Sequence, residues 1–310
     1  ETFRFQYEYN PIYHQYTDAL RVSPAKVNRI EQIPFLPIRF FKSASIQTTL
    51  FQPSVIFESS GTTGILPSRH EVKDVQLYED SFNRAFELFY GKPEDWCIIG
   101  LLPSYLERQH SSLVYMVDKL IRQSGHPSGG FYLHEFDKLA SVLQQLEQAK
   151  QKTLLIGVTF ALLDFAEQYP IPLSYTTVME TGGMKGRREE LVRPQVHELL
   201  KNAFNLSSIH SEYGMTELLS QGYSKSDGMF YSPPWMKILV RDDEDPLAVT
   251  STIGLNKATA GAVNVIDLAN LYSCSFIATD DAGRIFPNGG FEVLGRLDNS
   301  DLRGCSLLAI

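Results

Sequence analysis

Cysteine is scarce: Cys97, Cys274 and Cys305 are the only three in 310 residues. An odd and sparse set builds neither a disulfide framework nor a zinc cluster. No apolar run approaches the ~18 uninterrupted residues that mark a membrane-crossing helix. The opening Glu1-Thr2-Phe3-Arg4 has no signal-peptide layout and also lacks a Met. The cytoplasm is therefore the expected compartment, with no transmembrane segment. Excess positive charge is missing as well. The net charge is −8 and the pI about 5.4, which disfavours nucleic acid or an anionic membrane as a partner bound through a global field. Internal repeats and low-complexity tracts are absent. What remains, 43% hydrophobic and 21% charged residues, is the composition of a globular core, and the length suits one large or two ordinary domains.

The most informative stretch is Glu58-Ser59-Ser60-Gly61-Thr62-Thr63-Gly64. It follows the apolar run Val55-Ile56-Phe57, read as a short buried strand, and precedes a polar segment and a long helical pattern. Strand, glycine-hydroxyl loop and helix form the layout of a phosphate cradle. Gly61 and Gly64 let backbone approach a bulky anion, and successive N–H groups in such a loop converge into a nest. Ser59, Ser60, Thr62 and Thr63 add hydroxyl donors. No Lys-Ser/Thr pair follows, so this is not the Walker loop. The bland alternative is a Ser/Thr/Gly turn with no ligand.

Along the chain, residues 1–54 are rich in Tyr and Pro and suggest short helices and extended turns wrapped on a larger body. Helix-period stripes run over Val72 to Tyr90, Ser111 to Gln123, Asp137 to Ala149, Thr159 to Tyr169 and Arg188 to Phe204. Pro194 belongs near the first turn of the last. Between them, Cys97 to Leu102, Thr153 to Val158, Thr176 to Glu180 and Ser207 to His210 read as strands. This alternation predicts an α/β fold with a doubly wound, mostly parallel sheet. From Tyr231 the pattern turns to β, with strands expected at Met236 to Val240, Ala262 to Ile266, Phe276 to Ala278 and Phe291 to Leu294. The predicted organisation is an α/β core over 1–230 and a smaller β-rich subdomain over 231–310.

Open α/β sheets bind ligands at the carboxyl ends of their strands, and four strings fall at expected strand exits. Gly182-Gly183 would let a flat ring lie on backbone, or is a tight turn. In Tyr213-Gly214-Met215-Thr216-Glu217, Tyr213 can stack on a base or wall a pocket. Thr216 offers a hydroxyl to a phosphate, and Glu217 can ligate Mg²⁺; a helix start explains the pair equally. Asp280, in Thr279-Asp280-Asp281-Ala282-Gly283, can accept ribose hydroxyls or belong to a β-turn. Arg296, in Gly295-Arg296-Leu297-Asp298, can reach ribose or phosphate with its planar fork, or lie on the surface.

Taken in order, these strings resemble the adenylate-forming superfamily of acyl-CoA synthetases, luciferases and peptide-synthetase adenylation domains. The resemblance runs from about residue 55 to the end. Within the superfamily the chain looks most like the acyl-protein synthetases of the LuxE type. The strings that carry this are Leu102-Pro103-Ser104-Tyr105-Leu106-Glu107-Arg108, Pro234-Trp235-Met236-Lys237, Val265-Ile266-Asp267-Leu268-Ala269-Asn270 and Arg303-Gly304-Cys305. The resemblance implies the large N-terminal domain of those enzymes, with the C-terminal lysine-bearing domain absent. It also implies a ligase that spends ATP, with Mg²⁺, to activate a fatty or other carboxylic acid as acyl-AMP and then moves the acyl group to a cysteine. Carried over, Thr62 and Thr63 hold pyrophosphate, Thr216 and Glu217 the α-phosphate and metal, and Asp280 the ribose. His110 lies near the carboxylate and Cys305 takes the acyl group. Arg303, two residues from Cys305, would lower its thiol pKa; the bland alternative is an apolar filler near the chain end. The phosphate loop continues Ile65-Leu66-Pro67-Ser68-Arg69 in place of Pro-Lys-Gly, making Arg69 the candidate cation.

Two rival functions stay open. One is a small acyl- or aryl-CoA ligase releasing a soluble thioester, with CoA as partner in place of an acyl-accepting protein. The other is a non-catalytic nucleotide- or acyl-binding module.

Overall fold

The computed structural model describes residues 1–59, 66–103, 109–182, 191–242 and 244–297. In chain order, the first part supplies helices α1 (Thr2–Tyr9) and α2 (Pro11–Ala19), strand β1 (Leu36–Pro37), helix α3 (Phe40–Ser43), and strands β2 (Val55–Glu58) and β3 (Arg69–Val72). Next come α4 (Val75–Tyr90), β4 (Cys97–Leu101), α5 (Ser112–Ser124), β5 (Gly130–Phe131), α6 (Phe136–Gln148), β6 (Thr153–Val158), α7 (Thr159–Gln168), β7 (Thr176–Thr181), α8 (Arg193–Phe204), β8 (His210–Tyr213) and β9 (Gly222–Ser224). The last part holds β10 (Phe230–Tyr231), β11 (Met236–Arg241), β12 (Val249–Thr250), β13 (Thr259–Asp267), β14 (Phe276–Ile285) and β15 (Phe291–Arg296). The chain divides into two compact units. The first takes Glu1–Leu77, Glu217–Ser220 and Tyr231–Ile310; the second takes Tyr78–Thr216 and Gln221–Phe230.

The second unit is the α/β part. Its strands run in the order β5-β4-β6-β7-β8-β9, parallel from β5 to β8, with β9 antiparallel at the end. Every residue of β4 and of β6 is buried, as expected for parallel strands covered on both faces. The helices cover them with periodic apolar stripes: Tyr78, Phe82, Ala85 and Phe86 on α4, and Leu139, Leu143 and Leu146 on α6. Helix α5 starts at Ser111, whose Oγ accepts the Val114 N–H at 3.4 Å, and ends at Gly125 in the left-handed region. Helix α8 carries Pro194 in its first turn, where a missing N–H does no harm. The parallel strands follow the order 2-1-3-4-5 within the unit. The winding thus reverses between β4 and β6, and ligand crevices of such sheets open at that reversal.

The first unit is mostly antiparallel. Strands β12-β11-β13-β14-β15 form a meander-like sheet, and β1 lies parallel to β14 with Leu36 opposite Ile277. The N-terminal helices are tied to it by polar as well as apolar contacts. Gln6 Nε2 donates to the carbonyls of Asn270 and Leu271 at 2.9 Å each, and Gln6 Oε1 accepts the Ser275 N–H at 2.8 Å. Phe3, Tyr13 and Phe35 surround the Phe276 ring with centroids 6.0–6.2 Å away.

The structure differs from the expected pattern at four places. The hydroxyl loop does not lead straight into a helix. Strand β2 pairs antiparallel with β3, Glu58 opposite Arg69, so the loop joins two strands of a ribbon. The Thr279-Asp280-Asp281-Ala282-Gly283 string is no turn: β14 runs through it to Ile285, alternating buried and half-buried residues. Strand β8 starts at His210, where a strand ending was expected, and therefore contains Tyr213. No helix begins at Thr216-Glu217; both residues lie in a turn.

Candidate functional site

In the second unit, Gly182 follows β7 directly with φ +73°, a conformation that suits glycine. Its carbonyl accepts the Thr159 hydroxyl at 2.8 Å. Thr159 opens α7 at the carboxyl end of β6 and also donates to Glu180 Oε2 at 3.2 Å. Glu180 is buried and ion-paired: Arg193 Nε lies 3.0 Å and His197 Nε2 3.6 Å from its Oε1. Burial pushes its pKa up, but His197, Arg193 and Ser211 together bring it below the ordinary value. The Ser211 hydroxyl and Glu180 both approach the same His197 nitrogen, Nε2. A Ser-His-acid relay needs both ring nitrogens, so this cluster is a structural brace.

Tyr213, the last residue of β8, is buried with its ring tilted against Phe230 at 6.1 Å. Gly214 is exposed and Thr216 half-exposed, in the stretch that leads out of the strand. His110 is exposed in the turn just before α5, beyond the exit of β4. Glu212, which the sequence did not single out, is buried with the Thr181 hydroxyl bonded to its Oε2. Burial raises its pKa to about 7.

In the first unit, the loop base is closed by two hydrogen bonds. Ser59 N–H donates to the Ser68 carbonyl at 3.0 Å, and Ser68 N–H donates to Ser59 Oγ at 2.9 Å. Arg69 pairs with Glu58 across the ribbon at 3.5 Å. Glu217 is 5% exposed. Burial raises its pKa; a hydrogen bond with Ser68 and the charges of Arg296 and Lys42 oppose that without cancelling it. Asp280 is half-exposed and lies 3.6 Å from Arg39. Arg296 stands beside Asp281 in the β14–β15 register, 3.8 Å from its carboxylate. The structure thus gathers Glu217, Arg296 and the Asp280-Asp281 pair within one unit. The expectations for Ser60, Gly61, Thr62, Thr63, Gly64, Gly183 and Cys305 lie outside the described residues.

Sequence reasoning gave no role to the residues that fix Glu217. Asp267, fully buried at the end of β13, accepts the Leu219 N–H at 2.8 Å and the Ser220 hydroxyl at 2.6 Å. Asn270 Nδ2 donates to the Glu217 carbonyl at 2.8 Å. The signal was a carboxylate inside the apolar run Val263-Asn264-Val265-Ile266-Asp267. A buried charge of that kind holds something in place.

Among the described residues no group of three or more His, Cys, Asp or Glu side chains could hold a metal. Mg²⁺ needs less, because one or two carboxylates suffice when substrate phosphates and water complete its shell. A buried Glu217 with its pKa raised by burial fits that demand. No helix among the described residues is long and apolar enough to cross a membrane.

No protein-family model matches the chain, and no curated protein matches it in sequence. Solved structures do. 2-Hydroxyisobutyryl-CoA ligase, in the postadenylation state with its 2-HIB-AMP, is similar with a TM-score of 0.66 at 13% identity, over 96% of this chain and 66% of that one. ATP-bound MatB from Rhodopseudomonas palustris is similar with a TM-score of 0.58 at 16% identity, over 80% of this chain and 50% of that one. The amide bond synthetase McbA from Marinactinospora thermotolerans gives 0.53 at 18%, with the same coverage of 80% and 50%. The fold is that of adenylate-forming enzymes. The chain spans half the length of the MatB and McbA chains it matches. Within the adenylate-forming fold, the turn carrying Thr216 and Glu217 is where the chain passes from the second unit back to the first.

Proposed function

We propose that the chain is an ATP-dependent ligase that activates a carboxylic acid and hands the acyl group to a thiol. A carboxylate oxygen attacks the α-phosphorus of ATP, the bond from that phosphorus to the bridging oxygen breaks, and pyrophosphate leaves. A thiolate then attacks the acyl carbon, the acyl–phosphate bond breaks, and AMP leaves with its electron pair. The first step brings two anions together, so the catalyst's task is positioning and charge neutralisation.

The observation that carries this reading is Glu217: a buried carboxylate whose charged form is disfavoured by burial, with Arg296 and Lys42 near it, on the fold of adenylate-forming enzymes. A carboxylate in that condition is completed by a hard cation. Mg²⁺, when bound, would neutralise phosphate charge. Glu217 would hold it, Thr216 would donate to the α-phosphate, Asp280 would accept from ribose, and Arg296 would add positive charge. Ser59, Ser60, Gly61, Thr62, Thr63 and Gly64 would face the pyrophosphate. Gly182, Gly183, Tyr213 and Gly214 would face the base, and His110 the acid.

The finer reading is an acyl-protein synthetase in which Cys305 receives a fatty acyl group before it passes to a protein partner. Its support is the resemblance of the Arg303-Gly304-Cys305 string. Incubation with ATP and a labelled fatty acid tests both levels. Exchange of labelled pyrophosphate into ATP is expected with the native chain and at least a hundredfold less in Glu217→Gln. No exchange with any acid overturns the ligase. Hydroxylamine-labile label on the native chain that persists in Cys305→Ser overturns the cysteine role, and AMP release that needs CoA, without protein labelling, replaces it with a CoA ligase.

A further inference from the structure

The strands β8 and β9 place Glu212 directly opposite Tyr223, so both side chains stand on one face of the sheet. Both are buried, and Gln221, two residues before Tyr223, is buried too. Among the described residues the Tyr223 hydroxyl has no hydrogen-bond partner, nor does Gln221 Oε1. Buried polar atoms are seldom left so, because each loses its hydration without replacement. Glu212 and Gln221 flank the bare α-carbon of Gly214, and Tyr223 lies across from Glu212. A Cβ there would overlap Glu212 Oε1 and lie 3.5 Å from Gln221 Cγ. Thr181 occupies the other carboxylate oxygen, Oε2. The cluster lies at the carboxyl ends of β7 and β8, the end at which α/β sheets bind their ligands.

We infer that Glu212, Gln221 and Tyr223 form a recognition site for a hydroxyl or amino substituent on the acid that this chain activates. The inference rests on the ligase reading above. The chemistry follows from the inventory of atoms. Glu212 Oε1 and Gln221 Oε1 accept, and the Tyr223 hydroxyl donates or accepts. A substrate hydroxyl donates to one oxygen and accepts from Tyr223; an amino group donates to all three. A methylene in the same place satisfies none of them. The site also sets where on the acid the group lies. Gly214 is two residues from Thr216, at most about 7 Å along the chain. With Thr216 at the α-phosphate, the substituent falls within a few carbons of the reacting carboxylate.

Matched acids test this with the full chain: octanoate, 3-hydroxyoctanoate and 3-aminooctanoate, read by pyrophosphate exchange and by calorimetric binding. The substituted acids are expected to exceed octanoate at least tenfold in kcat/KM and in affinity. Tyr223→Phe and Gln221→Met should each shrink that ratio several-fold. A purely structural effect of either variant lowers all three acids together and leaves the ratio alone. Equal handling of the three acids by the native chain overturns the inference while leaving the ligase intact, and would mean that ordered water serves these groups. Absence of exchange with every acid overturns the ligase; the calorimetric comparison then still decides the site, equal affinities counting against it.

Discussion

Two buried glutamates on neighbouring strands of the second unit meet opposite fates. Glu180 on β7 faces Ser211 on β8, and one step further Thr181 faces Glu212. Successive residues point to opposite faces, so the two carboxylates are buried on opposite sides of one sheet. Glu180 has Arg193, His197, Ser211 and Thr159 about it, and its charge is retained. Among the described residues Glu212 has a single hydroxyl, from Thr181, and burial pushes its pKa up to about 7. Burial is nearly equal; the number of partners separates them. The first arrangement braces a helix against a strand. The second leaves a carboxyl group whose protonation changes near neutrality, the property expected of a group that waits for a ligand.

The largest expected effect comes from breaking the braced side. Glu180→Ala strands Arg193 and His197 without their carboxylate and should lower stability by about 3–5 kcal/mol, measured by urea unfolding at pH 7. A loss under 1 kcal/mol would make the two glutamates alike after all.

Next is Glu212→Gln, whose effect should depend on pH. The folded-state pKa of Glu212 lies above its unfolded value, so the folded protein holds the extra proton between about 4.5 and about 7. Stability from this group is complete at low pH and is lost as pH rises through that window. The variant removes the loss, so its stability relative to the native chain should rise from pH 5 to pH 8 by up to roughly 3 kcal/mol. Parallel stability curves for the two proteins would show that Glu212 is not shifted.

Gly214→Ala sharpens the geometry, because the new methyl meets Glu212 Oε1. A cost of about 1–3 kcal/mol is expected, recovered in part when Glu212→Ala is added. Full additivity in the double mutant would separate the two residues. The smallest effect belongs to Thr181→Val, which deletes the hydroxyl bonded to Glu212 Oε2. The pH midpoint of the Glu212 transition should move up by roughly one unit. An unmoved midpoint would mean that the hydroxyl does not favour the charged form.

The alternation of α4 to α8 with β4 to β7 was legible because apolar periodicity is strong where both faces of a strand or one face of a helix are buried. Leu139, Leu143 and Leu146 are an example. Three of the strands read short, shifted or missed are rich in polar residues. Arg69-His70-Glu71-Val72 carries three polar side chains yet pairs with β2. His210-Ser211-Glu212-Tyr213 is a largely buried strand in which Ser211 and Glu212 meet His197 and Thr181, partners distant in sequence. Asp280, Asp281 and Gly283 have turn chemistry, which the β14 ladder overrides. For the site, Glu217 and Arg296 could be given roles from their strings, but Ser68, Asp267 and Asn270, which surround or fix Glu217, stood in strings that gave them none. Their roles are set by contacts across 53 residues in the case of Asn270.

The clasp on Leu219 and Ser220 has a consequence for assembly. Asp267 lies 47 residues after Ser220, so a nascent chain exposes the Thr216-Glu217 turn well before the carboxylate that fixes its continuation exists. Closing so long a loop comes late and opens early. Amide exchange at Leu219 should therefore follow β13 rather than the helices of the second unit, and competence would arrive only when that strand is made.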